Sequence, residues 1–259
     1  MFNFNINPEI LSIGPLSIRY YGIIYALGFI ITAFYLNHLR KKQKLELSKD
    51  NIYDLILYLV IGVIIGARIF EILVWSPRYY FSNPGQMIAI WNGGLSFHGG
   101  LIGAVLACYL FSKKHKLSFL KLVDAVVIPS TLALALGRIG NFLNGELWGT
   151  VTNVSWCVNF PDALGCRHPY QIYASLGHFT SLLILLLVNK KEHKQGFIFW
   201  MGILLFGAFR LILDFWREDV RWLGLSLGQY LSIPLILIAG YVLLKYYKSK
   251  GLKVENAHL

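Results

Sequence analysis

The chain has 259 residues, 56% hydrophobic and only 14% charged, with a formal net charge of +11. That is too apolar for an ordinary soluble domain. The basic charge lies in loops between apolar runs, which favours a role in membrane topology and headgroup contact over nucleic-acid binding.

A membrane-spanning helix needs roughly 20 mostly apolar residues, and seven such segments fall near 17–39, 52–75, 95–111, 119–137, 171–189, 196–215 and 229–247. They leave little chain for a soluble part, so one membrane-embedded domain over residues 1–259 is expected. The N-terminal stretch MFNFNINPEILSIGP lacks a basic start, so the first segment reads as retained rather than cleaved. Its outer end carries SIRYYG, with Arg19, Tyr20 and Tyr21, where an interfacial aromatic belt explains the tyrosines by default. The second segment holds GARIFEI, in which Arg68 and Glu71 at i, i+3 read first as a structural pair.

The third segment opens in WNGGLSFHGGLIGA. The glycines around His98 predict an irregular entry, which survives at membrane depth only against protein or a wet cavity. His98 is a candidate general base near neutral pH. The competing reading is an interfacial histidine beside a Gly99-xxx-Gly103 packing stripe. The fourth segment runs into GRIGNFLNGELWG. If the helix continues, Arg138, Asn141 and Asn144 or Gly145 share a face. Gly145 then breaks the helix and lets Glu146 turn back toward that face. A polar cap with small-residue packing would use the same residues, but an arginine at membrane depth is costly without a task.

Cys157 and Cys166 share the loop 150–169, where an oxidising exterior permits a disulfide. Cys108, inside the third segment, reads as a small apolar filler. The sixth segment ends in GAFRLILDFWRED. Arg210, Asp214 and Arg217 at i, i+4 and i+7 suit either a buried ion pair or part of an anion site.

The fifteen lysines form four clusters, at 41–49, 113–121, 190–194 and 245–253, each after an odd-numbered segment. By the positive-inside rule those loops are cytoplasmic. The expected fold is an all-α integral membrane protein, a polytopic helical bundle of seven transmembrane helices, N-terminus outside and C-terminus cytoplasmic. Of nine arginines only Arg40 joins a lysine cluster; the others lie in segments or on the outer side. Arginine's planar fork suits phosphate and carboxylate, so the outer half is expected to meet an anion. Scattered histidines and the absence of HExxH, CxxC, P-loop or GxSxG patterns point to no metal and no cofactor. A lipid-moving protein or transporter is the rival class, since buried arginines also line substrate pathways, but such folds often show internal repeats and midplane sites, and neither is seen here.

GRIGNFLNGELWG resembles the signature of prolipoprotein diacylglyceryl transferases. SIGPLSIRYYG, SFHGGLIG, RHPYQIY (Arg167–Tyr173) and GAFRLILDFWR resemble other segments of that family, in family order, over about residues 10–245. The resemblance implies transfer of the sn-1,2-diacylglyceryl group from phosphatidylglycerol to the lipobox cysteine of a prolipoprotein, forming a thioether and releasing sn-glycerol 1-phosphate. This is the first step of bacterial lipoprotein maturation, carried out in the cytoplasmic (inner) membrane with the site toward the outer leaflet. Matched position by position, the implied functional residues are Tyr21, His98, Arg138, Asn141, Glu146, Gly149 and Arg210. His98, Arg138 and Arg210 are expected to be catalytic; Tyr21, Asn141, Glu146 and Gly149 join the two arginines around phosphatidylglycerol. Two positions depart from the family. Phe206 stands where tyrosine is frequent, and Ala174 where glutamate often follows HPxQxY, which leaves Asp214 as an alternative acid.

Overall fold

The computed structural model describes residues 2–13 and 16–247, without the side chains of 11–19 and 21. Two short strands, β1 (Phe2–Asn3) and β2 (Glu9–Ile13), and then β3 (Leu16–Arg19) lead into helix α1 (Tyr20–Lys41). Helix α2 (Lys49–Phe70) ends in a π-helical turn, Glu71–Trp75, and is followed by α3 (Pro77–Ser82). The long helices α4 (Phe97–Lys114), α5 (Phe119–Leu143), α6 (Tyr170–Val188), α7 (Phe197–Leu213) and α8 (Leu227–Tyr246) complete the bundle. The remaining strands are β4 (Val158–Asn159), β5 (Arg221–Trp222) and β6 (Leu225–Ser226). β1 pairs in parallel with β4, while β2–β3 and β5–β6 are antiparallel.

Six of the described helical runs are long and apolar enough to cross a membrane: Gly22–Lys41, Lys49–Trp75, Phe119–Leu143, Tyr170–Val188, Phe197–Trp216 and Leu227–Tyr246. They correspond to six of the seven expected segments. The other segment forms α4, whose 18 residues include His98, three glycines, Lys113 and Lys114 and so dilute its apolar character. The result is a multi-pass helical membrane protein.

The lysine clusters follow α1, α4, α6 and α8, whereas Arg68, Arg138 and Arg210 lie toward the C-terminal ends of α2, α5 and α7. The main packing pairs are α2 with α4, α5 with α6, α1 with α5, and α7 with α8. Small residues make the first of these possible. A Cβ on Gly66 would overlap the Gly99 carbonyl, and one on Gly62 would lie 2.9 Å from the Ala107 methyl, so Gly62 and Gly66 of α2 sit directly against Gly99 and Gly103 of α4. That is the close backbone approach expected of small-xxx-small stripes. One apolar core, built on Leu36, Leu55, Phe111 and Leu122, fills the lysine-bearing half. Cys108 is buried there as a thiol, in the filler role expected of it. There also the Asp124 carboxylate accepts from the N–H groups of Gly196, at 2.5 Å, and Phe199, at 2.7 Å, capping α7 from a neighbouring helix.

At the opposite end, Phe4 packs with Val158 and Phe160 over Phe142 and Trp148. Cys157 and Cys166 are joined by a disulfide in this layer. The N-terminal strand and the loop after α5 therefore form one lid over the arginine-bearing end.

Candidate functional site

The motif that opens the site is the C-terminal end of α5. Gly145, at φ +66°, takes the left-handed conformation that a glycine adopts without penalty. Its N–H donates to the Phe142 carbonyl at 2.9 Å, and the Glu146 N–H donates to the Asn141 carbonyl at 3.1 Å. This is a Schellman stop, and it reverses the chain as the sequence predicts. The returned Glu146 carboxylate accepts from Asn141 Nδ2 at 2.6 Å, and Asn141 Oδ1 faces Arg138 Nη1 at 3.5 Å. Gln171 of α6, fully buried, donates to the Glu146 carbonyl at 2.6 Å. Arg138, Asn141 and Glu146 thus form one chain of contacts, with Asn141 in the middle.

Gly149 plays a backbone part. Its N–H donates to the His168 carbonyl at 2.9 Å. A Cβ there would fall 2.5 Å from the Trp216 carbonyl oxygen and 2.7 Å from that of His168. Only glycine lets these three chain segments cross.

The second arginine comes from the last turn of α7. Arg210 and Asp214 are both buried, with Arg210 Nε 3.4 Å from Asp214 Oδ2. The alignment does not reach hydrogen-bond geometry, and Arg210 Nε is left without a hydrogen-bond partner. The carboxylate is held from two other sides: the Tyr170 hydroxyl donates to Oδ1, and Ser226 Oγ lies 3.4 Å from Oδ2. Gly228 at the start of α8 gives the pair its room, since a Cβ there would sit 2.5 Å from Arg210 Nη2.

Arg217 departs from the helical face expected of it. α7 ends at Leu213, a 3-10 turn covers Asp214–Trp216, and Arg217 is extended at φ −84°, ψ 138°. Its guanidinium instead sits 5.8 Å from the Tyr170 ring centroid and 3.6 Å from Asp219 Oδ2. Even so, Arg138, Arg210 and Arg217 all act electrostatically on Tyr170, and Arg138 and Arg217 both act on Arg210. Arg210 and Arg217 thus flank Tyr170 and its partner Asp214.

His98 enters from the first turn of α4. It is buried, stacked on Phe70 with ring centroids 6.2 Å apart and edge-on to Phe97 at 5.8 Å. Its Nε2 is buried with no hydrogen-bond partner. A buried polar atom left open asks for an explanation, and a reacting proton donor is one. Arg210, Asp214 and Arg217 act on it electrostatically. Phe97 stacks on Phe206 at 4.4 Å, and Phe206 stacks on His178 at 5.9 Å. The position where a phenol is frequent in the family thus serves here as an aromatic joint between α4, α6 and α7.

Arg68, Arg167 and Arg221 are tied up by protein partners. Arg68 donates to the carbonyls of Gln86, Met87, Ala89, Gly93 and Gly94 and to the Tyr80 hydroxyl. The structural reading of Arg68 is right, but its main partners are carbonyls and not Glu71, which instead accepts from Ser76 Oγ at 3.3 Å. Arg167 pairs with Glu218 at 2.9 Å, and Arg221 donates to the carbonyls of Asp214, Phe215 and Arg217.

Direct contacts join Arg138, Asn141 and Glu146, while Arg210 is paired with Asp214 and His98 is packed between Phe70 and Phe97. The Tyr21 side chain lies outside the described residues. Tyr170, Gln171, Ser226 and Gly228 were missed as participants; RHPYQIY pointed toward the first two, and no local pattern marks the others. Among the described residues no group of three or more His, Cys, Asp or Glu side chains is placed to hold a metal ion. A groove of about 290 Å³ between α1 and α2, lined by Phe29, Phe34, Lys49 and Tyr53 among others, lies at the lysine end, remote from these residues.

The sequence model of the prolipoprotein diacylglyceryl transferase family matches residues 8–245. A protein of Rickettsia bellii (strain OSU 85-389) named phosphatidylglycerol--prolipoprotein diacylglyceryl transferase is 39% identical over 251 residues, covering 93% of this chain and 95% of its own. One of the same name from Geobacter sulfurreducens is 41% identical over 241 residues, covering 90% and 93%. With a match running nearly end to end, and with the family's signature forming the helix stop that carries Arg138, Asn141 and Glu146, the chain belongs to the prolipoprotein diacylglyceryl transferase family.

Proposed function

We propose that this protein transfers the sn-1,2-diacylglyceryl group of phosphatidylglycerol to the lipobox cysteine of prolipoproteins, forming a thioether and releasing sn-glycerol 1-phosphate. The observation that carries this reading is the helix stop that returns Glu146 onto Asn141 and Arg138, with incompletely paired Arg210 and an open His98 Nε2 as further support. The cysteine sulfur forms a bond to the terminal glyceryl carbon as the bond from that carbon to the phosphate oxygen breaks. The bonding pair leaves with the phosphate, so negative charge grows there, where Arg138 and Arg210 favour the transition state. The thiol proton passes to His98 Nε2, since a free thiol with a pKa near about 8.5 needs a base or a positive field. Asn141 and Glu146 aim Arg138 and hold the glycerol hydroxyls, and Gly149 keeps the loop above them closed. Tyr21 is assigned to phosphatidylglycerol by the family resemblance alone. The reaction as written balances from the two substrates alone.

The lysine clusters support a cytoplasmic-membrane orientation with the N-terminus outside, the C-terminus cytoplasmic and the site toward the outer leaflet. At 1.5 Å per residue α4 reaches about 27 Å, close to the roughly 30 Å hydrocarbon core, so α4 supplies a seventh crossing. Reporter fusions after Lys44, Lys116 and Lys194 should report cytoplasm, and those near Tyr80, Asp162 and Arg221 the outside; one clear inversion breaks this arrangement. The reaction is tested with purified protein in detergent, labelled phosphatidylglycerol and a lipobox peptide. Label on the peptide cysteine supports the reading, and no transfer to a peptide that a related enzyme modifies overturns it.

A further inference from the structure

We propose that Tyr170 is a positioning residue for Arg210, acting through Asp214. The proposal rests on reading Arg210 as a phosphate ligand. Asp214 is wholly buried, and a carboxylate in that setting must have its lone pairs occupied or lose its charge. Its Oδ1 is taken by the Tyr170 hydroxyl, which is itself on a side chain only 2% exposed. Oδ2 is thereby left to Arg210 Nε at 3.4 Å and Ser226 Oγ at 3.4 Å.

This division of the carboxylate fixes the guanidinium. Asp214 engages the Nε edge, and Nη2 lies over the open backbone of Gly228, so the plane of the fork is set by groups on three elements: α6, the turn after α7, and α8. An arginine clamp works only when its plane is aimed before substrate arrives. Remove the phenol and Asp214 can rotate to use either oxygen toward Arg210 or Ser226, and the fork loses its reference. Ala174, one turn along the same buried face of α6, carries no polar group that could replace the phenol. The ring also carries Arg217, whose guanidinium lies 5.8 Å from its centroid. The hydroxyl and the ring therefore do different things, and the substitution Tyr170→Phe removes only the first.

The experiment measures kcat and KM for phosphatidylglycerol, and inhibition by sn-glycerol 1-phosphate, in the wild type, Tyr170→Phe, Asp214→Asn, their double variant and Arg210→Lys. Thermal melting confirms that each variant is folded. A lost hydrogen bond to a charged group corresponds to roughly a tenfold to hundredfold effect. Tyr170→Phe should lower kcat/KM by about tenfold or more and weaken product inhibition in the same direction as Arg210→Lys. The double variant should lose no more than Asp214→Asn alone, because the phenol acts only through that carboxylate. A rate for Tyr170→Phe within about twofold of wild type, or losses that multiply in the double variant, overturns the proposal. If Arg210→Lys keeps wild-type turnover and product inhibition, the phosphate reading of Arg210 fails instead, and the double-variant cycle still decides whether Tyr170 and Asp214 are coupled.

Discussion

Two buried arginines at the same end of the bundle have opposite surroundings. Arg68, at the end of α2, finds five backbone carbonyls and a phenol within 2.5–3.1 Å. Every edge of its guanidinium is used, and its work is to hold the loop 84–94 against α2. Arg210 has one carboxylate at 3.4 Å on its Nε edge and no hydrogen bond from that atom. Arg138 meets Asn141 at a long 3.5 Å. A desolvated charge without full compensation is expensive, and that cost is tolerable where a substrate anion supplies the missing partner. On the proposed function, saturation goes with the structural Arg68 and under-saturation with the arginines assigned to phosphate.

The largest expected effect tests the open nitrogen beside those arginines. General-base help is worth on the order of 10²–10⁴-fold, so His98→Ala should lower the chemical step by that much with little change in lipid binding, read by single-turnover transfer against a lipid-binding titration. Near-normal turnover in both His98→Ala and His98→Gln would place the base elsewhere and leave thiol activation to the arginines.

Next in size are the two arginines proposed to bind phosphate. Lysine keeps the charge but not the fork, so Arg138→Lys and Arg210→Lys should each lose about ten- to a hundredfold per missing contact while still folding. The double variant should lose less than the product of the single losses if both grip one phosphate. Strictly multiplicative losses mean two separate anion sites, and full activity in Arg138→Lys removes the clamp.

Arg68→Lys should do the reverse. Three ammonium donors cannot serve six acceptors, and an unserved buried carbonyl costs about 1–3 kcal/mol. Thermal stability should fall, with the KM for phosphatidylglycerol nearly unchanged in the folded fraction. A KM effect comparable to that of Arg210→Lys would erase the distinction between the two sites.

The smallest effect belongs to the loop beneath Gly149. Burial lowers the pKa of His168, whose Nδ1 is 3.1 Å from the Tyr173 hydroxyl. The unfolded chain takes up its proton first, near about pH 6.5. The stability His168 contributes is thus complete above that pH and declines as pH falls through the lower folded value. His168→Gln should slightly flatten the melting temperature between pH 7 and 5, and an unchanged slope would mean that this histidine is not sheltered in solution.

The sequence by itself determined what is local. Apolar runs placed the helices, and Gly145 stopped α5 so that Glu146 turned back on Asn141. Helical periodicity and capping act within a few residues, so one segment contains their cause. The tertiary structure decided which arginine was satisfied. The acceptors of Arg68 lie up to 26 residues onward, and Asp214 is held by Tyr170, 44 residues before it, and Ser226, 12 after. Arg217 left the face its spacing suggested because α7 tightened into a 3-10 turn at Asp214. Gly149 proved to be a crossing point of three segments, which no single segment can announce. Charge placement is legible in a sequence because membrane depth penalises it residue by residue. Charge compensation is not, because it depends on which backbone and side-chain oxygens packing brings within 3 Å or so.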